Sequence, residues 1–151
     1  MKSTKLLLIA ASVLWLIWGL VHILAGVVTM LQVLQGDTTA AVHGITDKVN
    51  IETLRLDYPY AVGAIIKQHG WNLLWVGVVT AVGAVFVWRQ NTIAIFVNAA
   101  TGGLADLGYF IFIDVPGLAN PPGPQMTWIC SAAILCSLYA WFKGLRGAKA
   151  A

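Results

Sequence analysis

The sequence predicts an all-α integral membrane protein, built as a four-helix bundle whose helices run alternately up and down. First, the chain is 59% hydrophobic and only 10% charged, whereas soluble domains carry about 25% charged residues. Second, four apolar stretches approach or exceed the roughly 20 residues that a helix needs to cross a bilayer. Third, these stretches are continuous and do not alternate, which favours helices over barrel strands. The predicted spans are residues 6–34, 61–88, 92–113 and 126–142.

The first span begins like a secretory signal, with Lys2 and Lys5 ahead of an apolar run. A cleaved signal has an apolar core of about 7–15 residues. This run continues to Leu34 and carries Trp15 and His22. We therefore expect a first span that stays in the protein, and one membrane domain over residues 1–151 with no room for a separate soluble domain.

The connections complete the predicted topology. Residues 89–91 are a tight turn, which makes the second and third spans antiparallel neighbours. Residues 35–60 form a first outer loop, in which the apolar content of residues 46–56 predicts a short helix on the membrane surface or over the bundle mouth. Residues 114–125 form a second outer loop, which its prolines make stiff and non-helical.

The basic residues indicate the orientation. Six of them fall at the N-terminus, the tight turn and the C-terminus, which share one side of a four-span protein: Lys2, Lys5, Arg89, Lys143, Arg146 and Lys149. No acidic residue accompanies them. The positive-inside rule makes that side the cytoplasm, so we expect a cell-membrane protein with both termini inside. Because this topology explains the basic residues, no nucleic-acid partner is expected.

The two cysteines are expected to be structural. Cys130 and Cys136 are six residues apart on one predicted helix, which puts them on different faces and roughly 9 Å apart along the axis. A disulfide needs Cα atoms closer than about 7 Å, so they cannot pair within the chain. Buried cysteines of this kind act as small hydrophobic residues.

Ionisable residues inside the spans are the main functional signal. A central Asp or Lys costs about 2.5–3.5 kcal/mol, and such residues persist where they pair, face water or have a function. His22, Lys67, His69 and Asp106 lie in three different predicted spans. If about 20 residues of each span cross the membrane, all of them lie in or near its outer third, which predicts one polar layer.

Helical spacing predicts that these groups also face one another. Trp15, Trp18, His22 and Gly26 form a stripe on the first span. A second stripe on the next span joins Gln68, Asn72 and Trp75, and a third on the following span runs from Asn98 to Tyr109. The predicted ligand-binding residues are His22, His69, Asn72, Asp106, Lys67, Gln68, Tyr109, Trp18 and Trp75.

Each of these residues also has a purely structural interpretation. Lys67 can extend its amine to the lipid headgroups, and Asp106 can neutralise a nearby basic side chain. A lone histidine on an apolar helix is more often a satisfied hydrogen-bonding residue than a ligand. The coincidence of several such groups at one depth favours a pocket.

Three functions remain open. The preferred one is a pocket for a small hydrophobic, lipid or quinone-like ligand, in which the histidines donate hydrogen bonds to a carbonyl or headgroup. The second is an accessory or assembly subunit, with membrane-protein partners or further copies of the chain. The third is haem ligation by His22 and His69. Enzymatic activity is the less expected alternative, because the serines and cysteines lack a nucleophile motif.

Overall fold

The computed structural model describes residues 2–145 as a helical chain without strands. Arg146 and Lys149, which belong to the predicted basic patches, lie outside the described residues. Four helical segments in this part of the chain are long and apolar enough to cross a membrane, which confirms the all-α class and the four apolar helices. The helices are α1 (Lys2–Leu34), α2 (Thr38–His43), α3 (Tyr60–Trp88), α4 (Thr92–Tyr109) and α5 (Gly123–Ala140), with π-helical turns at Phe110–Asp114 and Trp141–Leu145.

The four long helices form a ring in which each packs on two antiparallel neighbours, in the order α1, α3, α4, α5. The α1–α3 pair has the most extensive contact. Thr4, at the start of α1, lies beside Gly144, just past the end of α5. The beginning of α1, the tight turn after α3 and the end of α5 are therefore at one end of the bundle, and the two long loops are at the other.

Glycines bring α1 and α3 into backbone contact. Gly19 lies against Gly77, and Gly26 lies against Gly70. A Cβ atom added at Gly26 would be 2.5 Å from the Gly70 carbonyl oxygen, and one added at Gly77 would be 2.6 Å from the Gly19 carbonyl oxygen. Each helix places its two glycines seven residues apart, which is two helical turns. Small residues of this kind allow helices in lipid to pack closely.

Tryptophans of α1 fill the centre of the ring. Trp15 and Trp18 are both 0% exposed and meet edge to face, with 6.2 Å between ring centroids. The Trp15 ring reaches across to Gly102 of α4, where a Cβ atom would be 2.5 Å from the indole. The predicted inward stripe of α1 is therefore correct, and it links α1 to the helix diagonally opposite.

Asn98 joins α3 to α4 within the core. Its Nδ2 donates a hydrogen bond to the Thr80 carbonyl oxygen at 3.0 Å, and the side chain is fully buried. The amide oxygen of Asn98 occupies the space that a side chain at Gly83 would need. This hydrogen bond and this close contact tie α3 to α4 inside the bundle.

The outside of the ring is apolar. Large hydrophobic side chains are exposed along all four long helices, among them Leu24, Ile65, Leu104 and Leu135. A water-soluble bundle normally keeps polar residues on its outer face. The exposed apolar surface is consistent with a lipid environment.

The first loop differs from its prediction. Its helix is α2, Thr38–His43, where the Asp37 carboxylate accepts a hydrogen bond from the Ala40 N–H at 2.8 Å. Residues 46–56 contain only a 3-10 turn, Ile51–Leu54. The short helix predicted over residues 46–56 is therefore confined to this one turn, which begins where the Asn50 side chain accepts a hydrogen bond from the Glu52 N–H.

The two long loops are tied to each other across the end of the bundle. The Asn120 backbone N–H donates to Asp47 Oδ1 at 2.6 Å, and the Lys48 N–H donates to the Leu118 carbonyl oxygen at 3.1 Å. The loops together therefore close over this end of the helices.

Candidate functional site

A cavity of about 270 Å³, called here the loop-end cavity, lies beneath the two loops. All four long helices contribute to its wall, and both loops complete it. Four predicted site residues line it: His22 from α1, His69 from α3, and Asp106 and Tyr109 from α4. The structure thus brings together polar groups from three separate helices, as the depth comparison predicted.

His22 is held in one orientation by its own helix. Its Nδ1 lies 2.8 Å from the Trp18 carbonyl oxygen. Because a carbonyl oxygen can only accept, Nδ1 carries the proton and donates this bond. The imidazole also stacks on the Trp18 indole, with centroids 3.6 Å apart and the planes inclined by 22°. In the neutral ring Nε2 is then a hydrogen-bond acceptor.

Trp18 also orients the carboxyl group. Its indole N–H donates to Asp106 Oδ1 at 3.2 Å, and Asp106 is only 5% exposed. Trp18 does not line the cavity, although the sequence placed it among the ligand-binding residues. It instead lies behind two cavity residues, stacking on His22 and donating a hydrogen bond to Asp106.

Asp106 separates the cavity from a second depression. A groove of about 410 Å³ between α4 and α5 is lined by Asp106 together with Asp114, Thr127 and Cys130. The Thr127 hydroxyl donates to Asp114 Oδ2 at 2.7 Å, which ties the end of the α4 segment to α5. Asp106 is the lining residue that the cavity and this groove share.

The predicted polar stripe on α3 lies on the outer face of the bundle and not on the inner one. Gln68, Asn72 and Trp75 are exposed on the outside of the bundle, and the Trp75 indole N–H donates to Asn72 Oδ1 at 3.2 Å. The inward face of α3 is the glycine face that packs on α1, including Gly70 and Gly77. Because the stripe lies on the opposite side of the helix, these three residues do not reach the cavity.

Lys67 does not line the cavity either. Its Nζ lies 5.5 Å from the centroid of the Tyr60 ring, a cation–π distance. The contact holds the amine near the start of α3, where an amine that extends toward the headgroups would lie.

Several residues that line the cavity were not predicted from the sequence. Thr29 and Gln32 of α1 line the cavity. They lie seven and ten residues after His22, so the stripe of α1 could have been extended to them. Asp47 and Asn120 also line it, but they come from two loops 73 residues apart. No local pattern in the sequence indicates that these loops meet.

The cavity has an uneven charge distribution. Two of its lining residues have carboxyl groups, Asp47 and Asp106. Among the lining residues of the described chain there is no lysine or arginine. Much of the remaining wall is apolar, for example Val21, Val28 and Met126. Such a wall suits a hydrophobic ligand with a polar group and provides no fixed cation for an anion.

No cluster of three or more metal-ligating side chains occurs within residues 2–145. His22 and His69 therefore remain the pair on which a haem interpretation depends. Comparison of the chain with protein-family models, with curated proteins and with solved structures gives no match.

Proposed function

We propose that this protein spans the cell membrane four times, with both termini in the cytoplasm, and holds a small hydrophobic, lipid or quinone-like ligand in the loop-end cavity. The observation that carries the proposal is the meeting of His22, His69, Asp106 and Tyr109 in one cavity with a largely apolar wall. Small-molecule sites are typically apolar cavities with a few convergent polar groups.

The charge distribution supports the orientation. Lys2, Lys5, Arg89 and Lys143 lie at the end of the bundle opposite the long loops. The loop end carries most of the acidic residues. The positive-inside rule then puts the loops and the cavity on the outer side of the membrane.

The dimensions support a small ligand. At 1.5 Å per residue, the 33 residues of α1 extend over about 50 Å, which exceeds the roughly 30 Å of the hydrocarbon layer. An upright α1 would therefore rise beyond the hydrocarbon layer next to the loops. The cavity volume of about 270 Å³ is near the lower end of the roughly 300–1,000 Å³ of ligand pockets. It suits a ring or a headgroup better than a whole lipid.

The direct test is the ligand content of the purified protein. The full chain is extracted in mild detergent and examined by native mass spectrometry and absorbance. We expect an apolar small molecule to co-purify with the wild-type protein. Ala25 lines the cavity, so Ala25→Phe should fill it and reduce the ligand content at least fivefold. Ala10 is an exposed alanine of the same helix, so Ala10→Phe is the matched control and should retain the ligand.

Equal ligand content in Ala25→Phe and Ala10→Phe would contradict the proposal. A Soret band in the wild-type spectrum would identify haem, the alternative that rests on His22 and His69. A co-purified polypeptide without a small molecule would instead favour the accessory-subunit role.

A further inference from the structure

We infer that the ligand of the loop-end cavity carries a hydroxyl group that donates a hydrogen bond to His22, as a phenol or quinol does. This inference rests on the proposed ligand-binding function and names the chemical class of the ligand. For His22 it also reverses the polarity expected from the sequence, in which the histidines donate to a carbonyl.

His22 already uses one of its two ring nitrogens in a hydrogen bond within the protein. Its Nδ1–H is used on the Trp18 carbonyl oxygen at 2.8 Å. A 180° flip of the ring would put a carbon in place of Nδ1 beside this carbonyl oxygen and lose the hydrogen bond. The neutral ring therefore offers Nε2, which can only accept. A ligand carbonyl would place one acceptor against another, whereas a hydroxyl supplies the missing proton.

The two carboxyl groups of the cavity also favour a ligand that donates a hydrogen bond. Asp106 and Asp47 line the same cavity, and an ionised carboxylate has no proton to donate. Each already accepts one hydrogen bond through Oδ1, from the Trp18 indole and the Asn120 backbone respectively. Further acceptor positions on these groups favour a ligand that donates. Because no lysine or arginine among residues 2–145 lines the wall, a carboxylate or phosphate ligand would meet like charge.

The volume of the cavity and its apolar wall favour a ring. Apolar side chains such as Val28, Leu73 and Met126 provide much of the remaining wall. The volume of about 270 Å³ accommodates a substituted ring more readily than a long chain. Tyr109 also lines the cavity, and its hydroxyl can donate or accept a further hydrogen bond there. A hydroxyl on an apolar ring meets all three conditions.

The experiment compares three probes of the same ring on the purified full chain in mild detergent. The probes are 2-naphthol, 2-methoxynaphthalene and 2-naphthoate, and their dissociation constants are measured by calorimetry. We expect 2-naphthol to bind at least fivefold more tightly than 2-methoxynaphthalene, which has no proton to donate. The anionic 2-naphthoate should bind weakest.

Variants then locate the effect. His22→Phe should reduce the preference for naphthol over methoxynaphthalene to within twofold. His22→Gln keeps an acceptor oxygen and should retain part of the preference. His43 of α2 does not line the cavity, so His43→Phe is the matched control and should leave the preference unchanged.

The outcomes distinguish the two proposals. If no probe binds, the ligand-binding function itself fails. If all three bind equally well, or if naphthoate binds most tightly, the cavity binds ligands but the donor inference is overturned. The wild-type comparison suffices for this decision even if a His22 variant does not fold.

Discussion

Replacement of Gly26 by alanine should leave the bundle less stable than the same replacement of Gly108, although alanine is the better helix former at both positions. The added Cβ would lie 2.5 Å from the Gly70 carbonyl oxygen and 2.6 Å from the Leu74 nitrogen. Both are backbone atoms, so no rotamer change relieves the clash. Ordinary contact begins at 3.4 Å, so α1 and α3 must separate locally by about 0.9 Å, the difference between 3.4 and 2.5 Å.

The magnitude follows from two opposing effects. Overpacking of a close contact costs about 1–3 kcal/mol, whereas alanine in place of glycine in a helix gains about 1 kcal/mol. Gly108 of α4 has nothing within 4 Å of an added Cβ, so Gly108→Ala has only the gain. The difference between the two variants should therefore be about 1–3 kcal/mol, with Gly26→Ala the less stable.

The assay is unfolding of the purified protein in mixed micelles by added denaturing detergent, followed by circular dichroism. The midpoint of Gly26→Ala should fall below that of the wild type or equal it, and that of Gly108→Ala should equal or exceed it. If the two variants unfold at the same detergent fraction, the close packing of α1 on α3 is refuted.

Three further predictions concern the cavity and the topology. In a double-mutant cycle, Trp18→Phe and Asp106→Leu should show a coupling of about 0.6 kcal/mol and at most about 1.7 kcal/mol, the mean and the maximum for interhelical hydrogen bonds in a membrane protein; strict additivity would contradict the bond. Asp106→Asn should reduce bound ligand in native mass spectra more than Asp114→Asn, since Asp114 lines the groove and not the cavity; equal losses would argue against a specific role for Asp106. After replacement of the native cysteines, a cysteine at Lys48 should react with an impermeant maleimide in intact cells, and one at Gln90 only after lysis; the opposite pattern would reverse the proposed orientation.

Much of the bundle is predictable because its determinants are local. Four apolar stretches predicted the four long helices, and the spacing of Trp15, Trp18 and His22 predicted the inward face of α1. The buried positions Asn98 and Asp106 of α4 were also predicted from spacing. Polar and small residues at helical periodicity predict the interior when they lie well inside a span.

Helical spacing of polar residues predicted the wrong inward face for α3, where small residues face the interior. On α3 the polar residues Gln68 and Asn72 lie in the half of the helix nearer the long loops and are exposed on its outer face. The inward face contains Gly70 and Gly77, because only glycine allows the α1 backbone to approach so closely. Ile95 of α4 is fully buried, since it lies three residues before Asn98 on the same face.

The cavity roof could not be predicted from sequence because it depends on contacts between distant segments. Asp47 and Asn120 meet only after both loops fold over the end of the bundle. The acceptor role of His22 has a different origin, a local hydrogen bond to the Trp18 carbonyl oxygen four residues earlier in its own helix. Neither contact has a signature in residue type or spacing.

The central claim, that α1 and α3 present their histidines to one cavity, is tested most directly by crosslinking. The native cysteines are replaced, and cysteines are introduced at His22 and His69 in one protein and at His22 and Asn72 in another. A short bifunctional thiol reagent should link the first pair within the chain and leave the second unlinked, because Asn72 faces outward. Linking of the second pair but not the first would contradict the shared cavity.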